Sequence, residues 1–81
     1  MQIQVLFFSV LKDQIGHNQL NIMLAEGASG ADLLDMLETE FPPIRSFRPF
    51  IRLGVNQSFC SEEEILKAGD QVALITPVSG G

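Results

Sequence analysis

Alternating apolar and polar positions predict a β-strand over residues 2–10 of the chain. Successive side chains of a strand point to opposite faces, so a period of two separates them into two sets. One set is Ile3, Val5 and Phe7, and the other is Leu6 and Phe8. Both faces of this strand therefore carry apolar side chains.

A second strand is predicted over residues 19–24, where apolar and polar positions alternate without a break. Between the two strands, residues 11–15 indicate a short helical turn that Gly16 ends. The connection is too short for a parallel crossover, which needs about a dozen residues or more. We therefore expect the second strand to run antiparallel to the first.

The apolar spacing then changes to three and four residues, which predicts a helix from Ser29 to Phe41. Ser29 is a good N-cap residue, and Asp32 three positions later makes a shortened variant of the capping box. The apolar stripe consists of Leu33, Leu34, Leu37 and Phe41. Pro42 and Pro43 cannot continue a helix, so they end this one.

The second half of the chain contains further apolar segments that predict strands. They span residues 51–55, 58–60 and 71–76, with turns at Asn56-Gln57 and Gly69-Asp70. Residues 62–67 connect the last two strands and are expected to include one helical turn. In the last strand, Val72 and Leu74 form the predicted inward set.

This order of elements predicts an α+β fold, in which one main helix crosses one face of a mixed sheet of about five strands. If the first and last strands are neighbours, they are parallel, because the chain crosses over between them. We assign residues 1–76 to this domain and residues 77–81 to an extended, flexible C-terminal tail.

Composition and charge exclude several classes of function. The 81 residues make one domain, with a formal net charge of −5 and only five basic residues. Nucleic-acid binding normally needs a basic stripe that displaces phosphate counterions, so it is not expected here. No apolar run reaches the about 18 residues of a membrane span. Cys60 is the only cysteine and excludes an internal disulfide. We expect a soluble cytoplasmic protein without a membrane partner.

The sequence lacks the common catalytic, metal-binding and phosphate-binding motifs. We interpret His17 as a solvated loop residue, Cys60 as a packing residue and Glu62–Glu64 as a solvated charged face. No bound metal and no bound cofactor are expected.

The remaining candidate is the tail, Pro77-Val78-Ser79-Gly80-Gly81, which directly follows an apolar strand. A carboxylate is a poor electrophile and must be activated, for example as a mixed anhydride with AMP. The chain end would then have to enter a narrow channel of an activating enzyme. Glycine removes side chains near the carboxylate and permits close backbone approach. Gly81 is therefore the candidate reactive residue, and the four residues before it are candidates for threading it into a partner.

These features together resemble one family, the small subunits of molybdopterin synthase (MoaD type). They are the strand Val5-Leu6-Phe7-Phe8, the capped helix Ser29 to Phe41, the Val55-Asn56 turn, Gly69-Asp70 and the Pro-Val-Ser-Gly-Gly end. The resemblance covers essentially the whole chain and implies the ubiquitin-like β-grasp fold. Thr76 departs from the family pattern, which often has a proline there.

The resemblance also implies a reaction sequence. A ubiquitin-activating-type enzyme uses ATP to adenylate the carboxylate of Gly81, and a sulfur donor converts it to a thiocarboxylate, a 1-thioglycine. The tail inserts into the large synthase subunit, and its sulfur passes to a cyclic pyranopterin precursor to build the molybdopterin dithiolene. The implied assembly is a heterotetramer of small and large subunits.

The alternation of the strands further predicts a docking surface on the sheet face that the helix leaves uncovered. It would comprise Leu6, Phe8, Phe59 and Ile75. An exposed apolar patch marks a partner site, although small domains also expose single apolar residues without a function.

Three other functions remain open at this point. The chain could be a related sulfur carrier for thiamine synthesis or tRNA thiolation, or a modifier that forms isopeptide bonds to lysines. From a different class, it could be a non-catalytic β-grasp interaction module whose tail is inert.

Overall fold

A computed structural model describes residues 1–76 of the chain. Its strands are β1 (Gln2–Phe7), β2 (Gln19–Met23), β3 (Arg52–Val55), β4 (Ser58–Cys60) and β5 (Gln71–Ile75). Its helices are α1 (Ser9–Ile15), α2 (Gly30–Glu40) and α3 (Ile44–Phe47), and a 3-10 turn follows at Arg48–Phe50. Within this range, no helix has the length and apolar character that a membrane crossing requires.

The strands form one sheet in the order β2-β1-β5-β3-β4. β1 is antiparallel to β2 and parallel to β5, while β3 is antiparallel to both β5 and β4. The predicted mixed sheet, its parallel central pair and its antiparallel first pair are confirmed. Because β1 and β5 are parallel, both strands end at the same edge of the sheet.

The hydrophobic core lies between this sheet and α2. Ile3, Val5 and Phe7 of β1 are at most 1% exposed, and Val72 and Leu74 of β5 are fully buried, as the alternation predicted. The helix contributes its fully buried stripe of Leu33, Leu34 and Leu37. Each such side chain contributes about 1.5–3 kcal/mol when buried. This packing fixes which face of the sheet is covered and which is left open.

The predicted capping box at the start of α2 is present. Ser29 Oγ accepts a hydrogen bond from the N–H of Asp32 (3.3 Å), and an Asp32 carboxylate oxygen accepts one from the N–H of Ser29 (2.9 Å). The N–H of Gly30 donates to the carbonyl of Glu64 at 2.9 Å. The helix therefore begins in contact with the segment that leads to β5.

Gly30 lies at a close approach between the start of α2 and Leu53 of β3. A Cβ added here would stand 2.5 Å from Leu53 Cδ1 and 3.2 Å from the carbonyl oxygen of Glu62. We expect Gly30→Ala to lower the free energy of unfolding by about 1–3 kcal/mol, because the buried Leu53 side chain and the Glu62 carbonyl must give way to the added methyl group. Chemical denaturation followed by circular dichroism measures this loss.

Gly54→Ala in β3 is the matched control for this substitution. A Cβ at Gly54 would meet nothing closer than 3.8 Å, so we expect a change below about 1 kcal/mol. Equal losses in the two variants would show that the close approach at Gly30 is not what requires glycine.

The turn between β3 and β4 is confirmed at Asn56-Gln57. Both residues have positive φ angles, 50° and 74°, as a two-residue type I′ hairpin turn requires. The Asn56 side chain donates to the Asp70 carboxylate (3.0 Å) and accepts from the N–H of Gln71 (3.0 Å). The other Asp70 oxygen accepts from the N–H of Lys67 at 2.8 Å. Side-chain hydrogen bonds thus hold this hairpin against the turn that precedes β5.

Two predicted segments are wrong in detail. β1 ends at Phe7 rather than residue 10, because Ser9 has a φ of 50° and starts α1. Residues 62–67 contain no helical turn. Ile65 instead forms an isolated antiparallel bridge with Ser29, because the backbone of this segment bonds to the first turn of α2.

Candidate functional site

The register of the sheet places Leu6, Ala73, Gly54 and Phe59 in one row across β1, β5, β3 and β4. Leu6 pairs with Ala73, and Gly54 pairs with both Ala73 and Phe59. These positions alternate with the buried ones, so they belong to the face that α2 leaves uncovered. Because Ala73 and Gly54 are small, a shallow depression of about 90 Å³ lies beside Phe59.

A second row lies nearer to the end of β5, where Ile75 pairs with Arg52 of β3. Phe8 is extended (φ −130°, ψ 156°) and continues the outward set of β1. Ile75 is half-buried, whereas Phe8 and Phe59 are 45% and 65% exposed. The fold thus brings the residues predicted for docking to one face. We define the apolar patch as Leu6, Phe8, Phe59, Ala73 and Ile75.

The other half of the uncovered face is polar. Gln4 and Gln71 pair in register, and Gln71 Nε2 donates a hydrogen bond to Gln4 Oε1 at 2.8 Å. Asn21 lies opposite Gln4 on β2. In both parallel strands the polar side chains come first and the apolar ones last. The apolar patch therefore borders Thr76, the last described residue before the tail.

The residues predicted to react and to thread lie outside the described range. They are Gly81, with Gly80, Ser79, Val78 and Pro77 before it. The fold nevertheless fixes where this segment starts. It continues from β5, which lies in the middle of the sheet and whose Val72 and Leu74 are fully buried.

Cys60 and His17 do not have the surroundings of catalytic groups. Burial raises the pKa of the Cys60 thiol above its ordinary value, and the negative charge of Glu64 raises it further. The thiol therefore stays protonated at neutral pH, whereas the thiolate is the nucleophilic form. His17 is exposed in the turn before β2. Among residues 1–76, no three His, Cys, Asp or Glu side chains are grouped so that they could hold a metal ion.

A salt-bridge cluster around Arg48 was not predicted from the sequence. The Arg48 guanidinium contacts Asp35 and Glu38 of α2 and, at 3.1 Å, Glu62. Its hydrogen bonds to Asp35 and then to Glu38 raise the pKa of the guanidinium above its already high value. The cluster joins the 3-10 turn to α2 and to the segment after β4. Because its charges are paired with one another, we interpret it as a structural link.

The comparison with known proteins assigns the chain to a family. The sequence model of the ThiS family matches residues 5–81. The chain belongs to the ThiS family. Several relatives carry the name molybdopterin synthase sulfur carrier subunit, among them the following two. The one from Chlamydomonas reinhardtii is 36% identical over 100% of both chains. The one from Dictyostelium discoideum is 32% identical over 99% of this chain and 96% of its own.

Solved structures agree with this assignment to the ThiS family. SAMP1 from Haloferax volcanii is 27% identical, with a TM-score of 0.88 over 100% of both chains. A complex of subunits 1 and 2 of molybdopterin-converting factor from Helicobacter pylori contains a chain that is 24% identical, with a TM-score of 0.73 over 100% of both chains, and supports the fold alone. The predicted resemblance and the ubiquitin-like β-grasp fold are confirmed. The relatives' names also bear out the predicted functional class, a sulfur carrier.

Proposed function

We propose that this chain is the sulfur carrier subunit of a molybdopterin synthase and that it carries sulfur as a thiocarboxylate on Gly81. The observation that supports this most directly is the match to a sulfur carrier subunit of that synthase, at 36% identity over the full length of both chains. The geometry agrees, because the tail continues from a central strand beside an apolar patch.

The chain's own part in this chemistry is to present one carbon atom. An activating enzyme transfers AMP from ATP to the carboxylate of Gly81, and a sulfur donor then displaces the AMP. Gly80, Ser79, Val78 and Pro77 thread the activated end into the partners. The chain binds neither ATP nor another cofactor and supplies no catalytic side chain, so it acts as one subunit of a sulfurtransferase complex. The absence of a catalytic side chain agrees with the raised pKa of the Cys60 thiol, which keeps this thiol protonated.

The proposed partners are the large synthase subunit and a ubiquitin-activating-type adenylating enzyme. The apolar patch supports protein docking, because contiguous exposed apolar surface favours it. In the Helicobacter pylori complex a chain of the same fold is bound to a second subunit, and we propose a two-subunit assembly for this chain by analogy. We propose a heterotetramer in which the patch lies against the large subunit, and a cytoplasmic location where ATP is available.

Intact-mass spectrometry tests the proposal. The protein is incubated with its activating enzyme, ATP and a sulfur donor, and we expect a mass increase equal to the exchange of one oxygen for sulfur. Fragmentation should locate this increase at Gly81. The loaded chain, mixed with the large subunit and the pyranopterin precursor, should then produce the dithiolene.

Other outcomes would favour other functions. A mass that never changes contradicts the carrier proposal and favours an inert interaction module. Adducts on lysines of other proteins favour a modifier, the function that the name of one similar protein, small archaeal modifier protein 1 (SAMP1), suggests. Loading without dithiolene formation favours a carrier for thiamine synthesis or tRNA thiolation.

A further inference from the structure

Arg52 is a positive charge at the border of the apolar patch. Its backbone pairs with Ile75, and the central carbon of its guanidinium lies 5.1 Å from the centre of the Phe59 ring. The residue is exposed, and among residues 1–76 no carboxylate lies within salt-bridge distance of it. Arg45 and Arg48, by contrast, are both paired with carboxylates.

The contact with Phe59 positions the guanidinium without using its hydrogen bonds. The attraction between a guanidinium and an aromatic ring is electrostatic, and the ring offers no oxygen acceptor to the N–H groups. The N–H donors lie in the plane of that group and remain available to a carboxylate, which they can bind in a bidentate manner. The contact with Phe59 thus favours a position of Arg52 on the sheet face in which its donors stay available.

A partner that covers the apolar patch also removes Arg52 from water. Burying a charge is costly unless a hydrogen-bonded counter-charge accompanies it. Within the described residues, the chain offers Arg52 no such counter-charge on this face. A partner surface that is apolar at its centre and carries a carboxylate at one edge therefore fits this patch best.

We propose that the large synthase subunit places an Asp or Glu side chain against Arg52 when it covers the apolar patch, and that this pair sets the orientation of docking. The inference rests on the proposed function, since it takes the large subunit as the partner. Apolar contact alone is non-directional, whereas a bidentate pair fixes an angle. Arg52 is paired with Ile75, next to Thr76, so the pair would align the root of the tail.

The test compares the affinity of the purified large subunit for wild type, Arg52→Gln and Arg52→Glu by titration calorimetry. We expect the Kd of Arg52→Glu to rise at least about tenfold, because it sets two carboxylates against each other. Arg52→Gln should raise the Kd by a smaller factor, and this difference from wild type should shrink at high salt, which screens ion pairs. A second-site Asp→Lys or Glu→Lys change on the large subunit should restore binding to Arg52→Glu.

Arg45→Glu is the matched control, because it makes the same change in net charge on α3, away from this face. We expect its Kd to stay within about twofold of wild type, and the circular dichroism spectrum of each variant verifies its fold. Equal Kd values for wild type and Arg52→Glu, or equal losses in Arg52→Glu and Arg45→Glu, would overturn the inference. The inference would also be overturned if Arg52→Glu bound the large subunit normally but lost thiocarboxylation. That result would assign the contact of Arg52 to the adenylating enzyme. Failure of the proposed function would give a different result from these binding measurements: the wild-type chain would take up no sulfur in the loading experiment.

Discussion

A chain that ends at Gly80 is expected to take up no sulfur when it is incubated with the activating enzyme, ATP and a sulfur donor. A chain with one alanine added after Gly81 is expected to fail in the same way. The proposed reactive atom is the carboxylate carbon of Gly81, and its distance from the folded body is set by the number of residues after β5. Intact-mass spectrometry under the conditions that load the wild type measures both losses.

Chain geometry explains why removing or adding one residue is enough to prevent sulfur uptake. Each extended residue moves the terminal carbon by about 3.4 Å. A misplacement of about 1 Å at a reacting centre can already reduce a rate roughly a hundredfold. Since β5 lies in the centre of the sheet and is buried through Val72 and Leu74, the fold cannot shift to compensate.

Cys60→Ser is the matched control for the tail variants. It removes the only cysteine of the chain. Apart from the Gly81 carboxylate, the sulfur atom of this cysteine is the other group that could carry added sulfur, as a persulfide. We expect it to load like the wild type, because the raised pKa of this thiol keeps it protonated. Loading of the chain that ends at Gly80, together with no loading of Cys60→Ser, would place the sulfur on the cysteine and contradict the proposal.

Local patterns were sufficient to predict most of the fold. The alternation of Ile3, Val5 and Phe7 identified the buried face of β1, because period two is a property of the strand itself. Ser29 and Asp32 indicated the start of α2 because a capping box is also a local pattern, formed by residues three positions apart. The parallel pairing of β1 and β5 followed from chain connectivity.

Features that depend on contacts distant in sequence were not predicted. Arg48 reaches Glu62 across 14 positions of sequence, and no local pattern links the two. One helical turn is predicted within residues 62–67, but residues 62 and 63 form a turn and Ile65 pairs with Ser29 instead. The short helix α3 also follows directly after Pro42 and Pro43, which in the sequence indicate only the end of α2.

In the candidate site, too, the features set by local patterns were predicted and those set by distant contacts were not. Alternation predicts that Leu6, Phe8 and Ile75 lie on one outward face with Phe59 as a further member, and the sheet register agrees. Arg52 was not singled out, because its relation to Ile75 exists only once β3 pairs with β5. The assignment of Gly81 depends on the tail motif and on the family resemblance, and it remains a prediction.

Placing a carboxylate in the apolar patch is expected to weaken binding to the large subunit strongly. We expect Phe59→Asp and Ile75→Asp each to cost about 2 kcal/mol or more, which is roughly thirtyfold in Kd, as for a central interface residue. Phe59 is 65% exposed, so its replacement removes little from the core. Ile75 is half-buried, but an Asp there gains an opposite charge from its cross-strand partner Arg52. Titration calorimetry measures the affinity, and thermal unfolding verifies that each domain is folded.

Phe50→Asp is the control that separates a docking surface from ordinary exposure of apolar residues. Phe50 is 61% exposed, close to the value for Phe59, but it lies in the 3-10 turn after α3 rather than on the sheet face. The same substitution there should leave the Kd within about twofold of wild type, since only burial against the partner makes an exposed phenylalanine costly to replace. If Phe59→Asp and Ile75→Asp bind as tightly as the wild type, or if Phe50→Asp weakens binding as much as they do, the apolar patch is not the docking surface. A loss confined to the two sheet variants would instead tie binding to the apolar patch, which borders the tail.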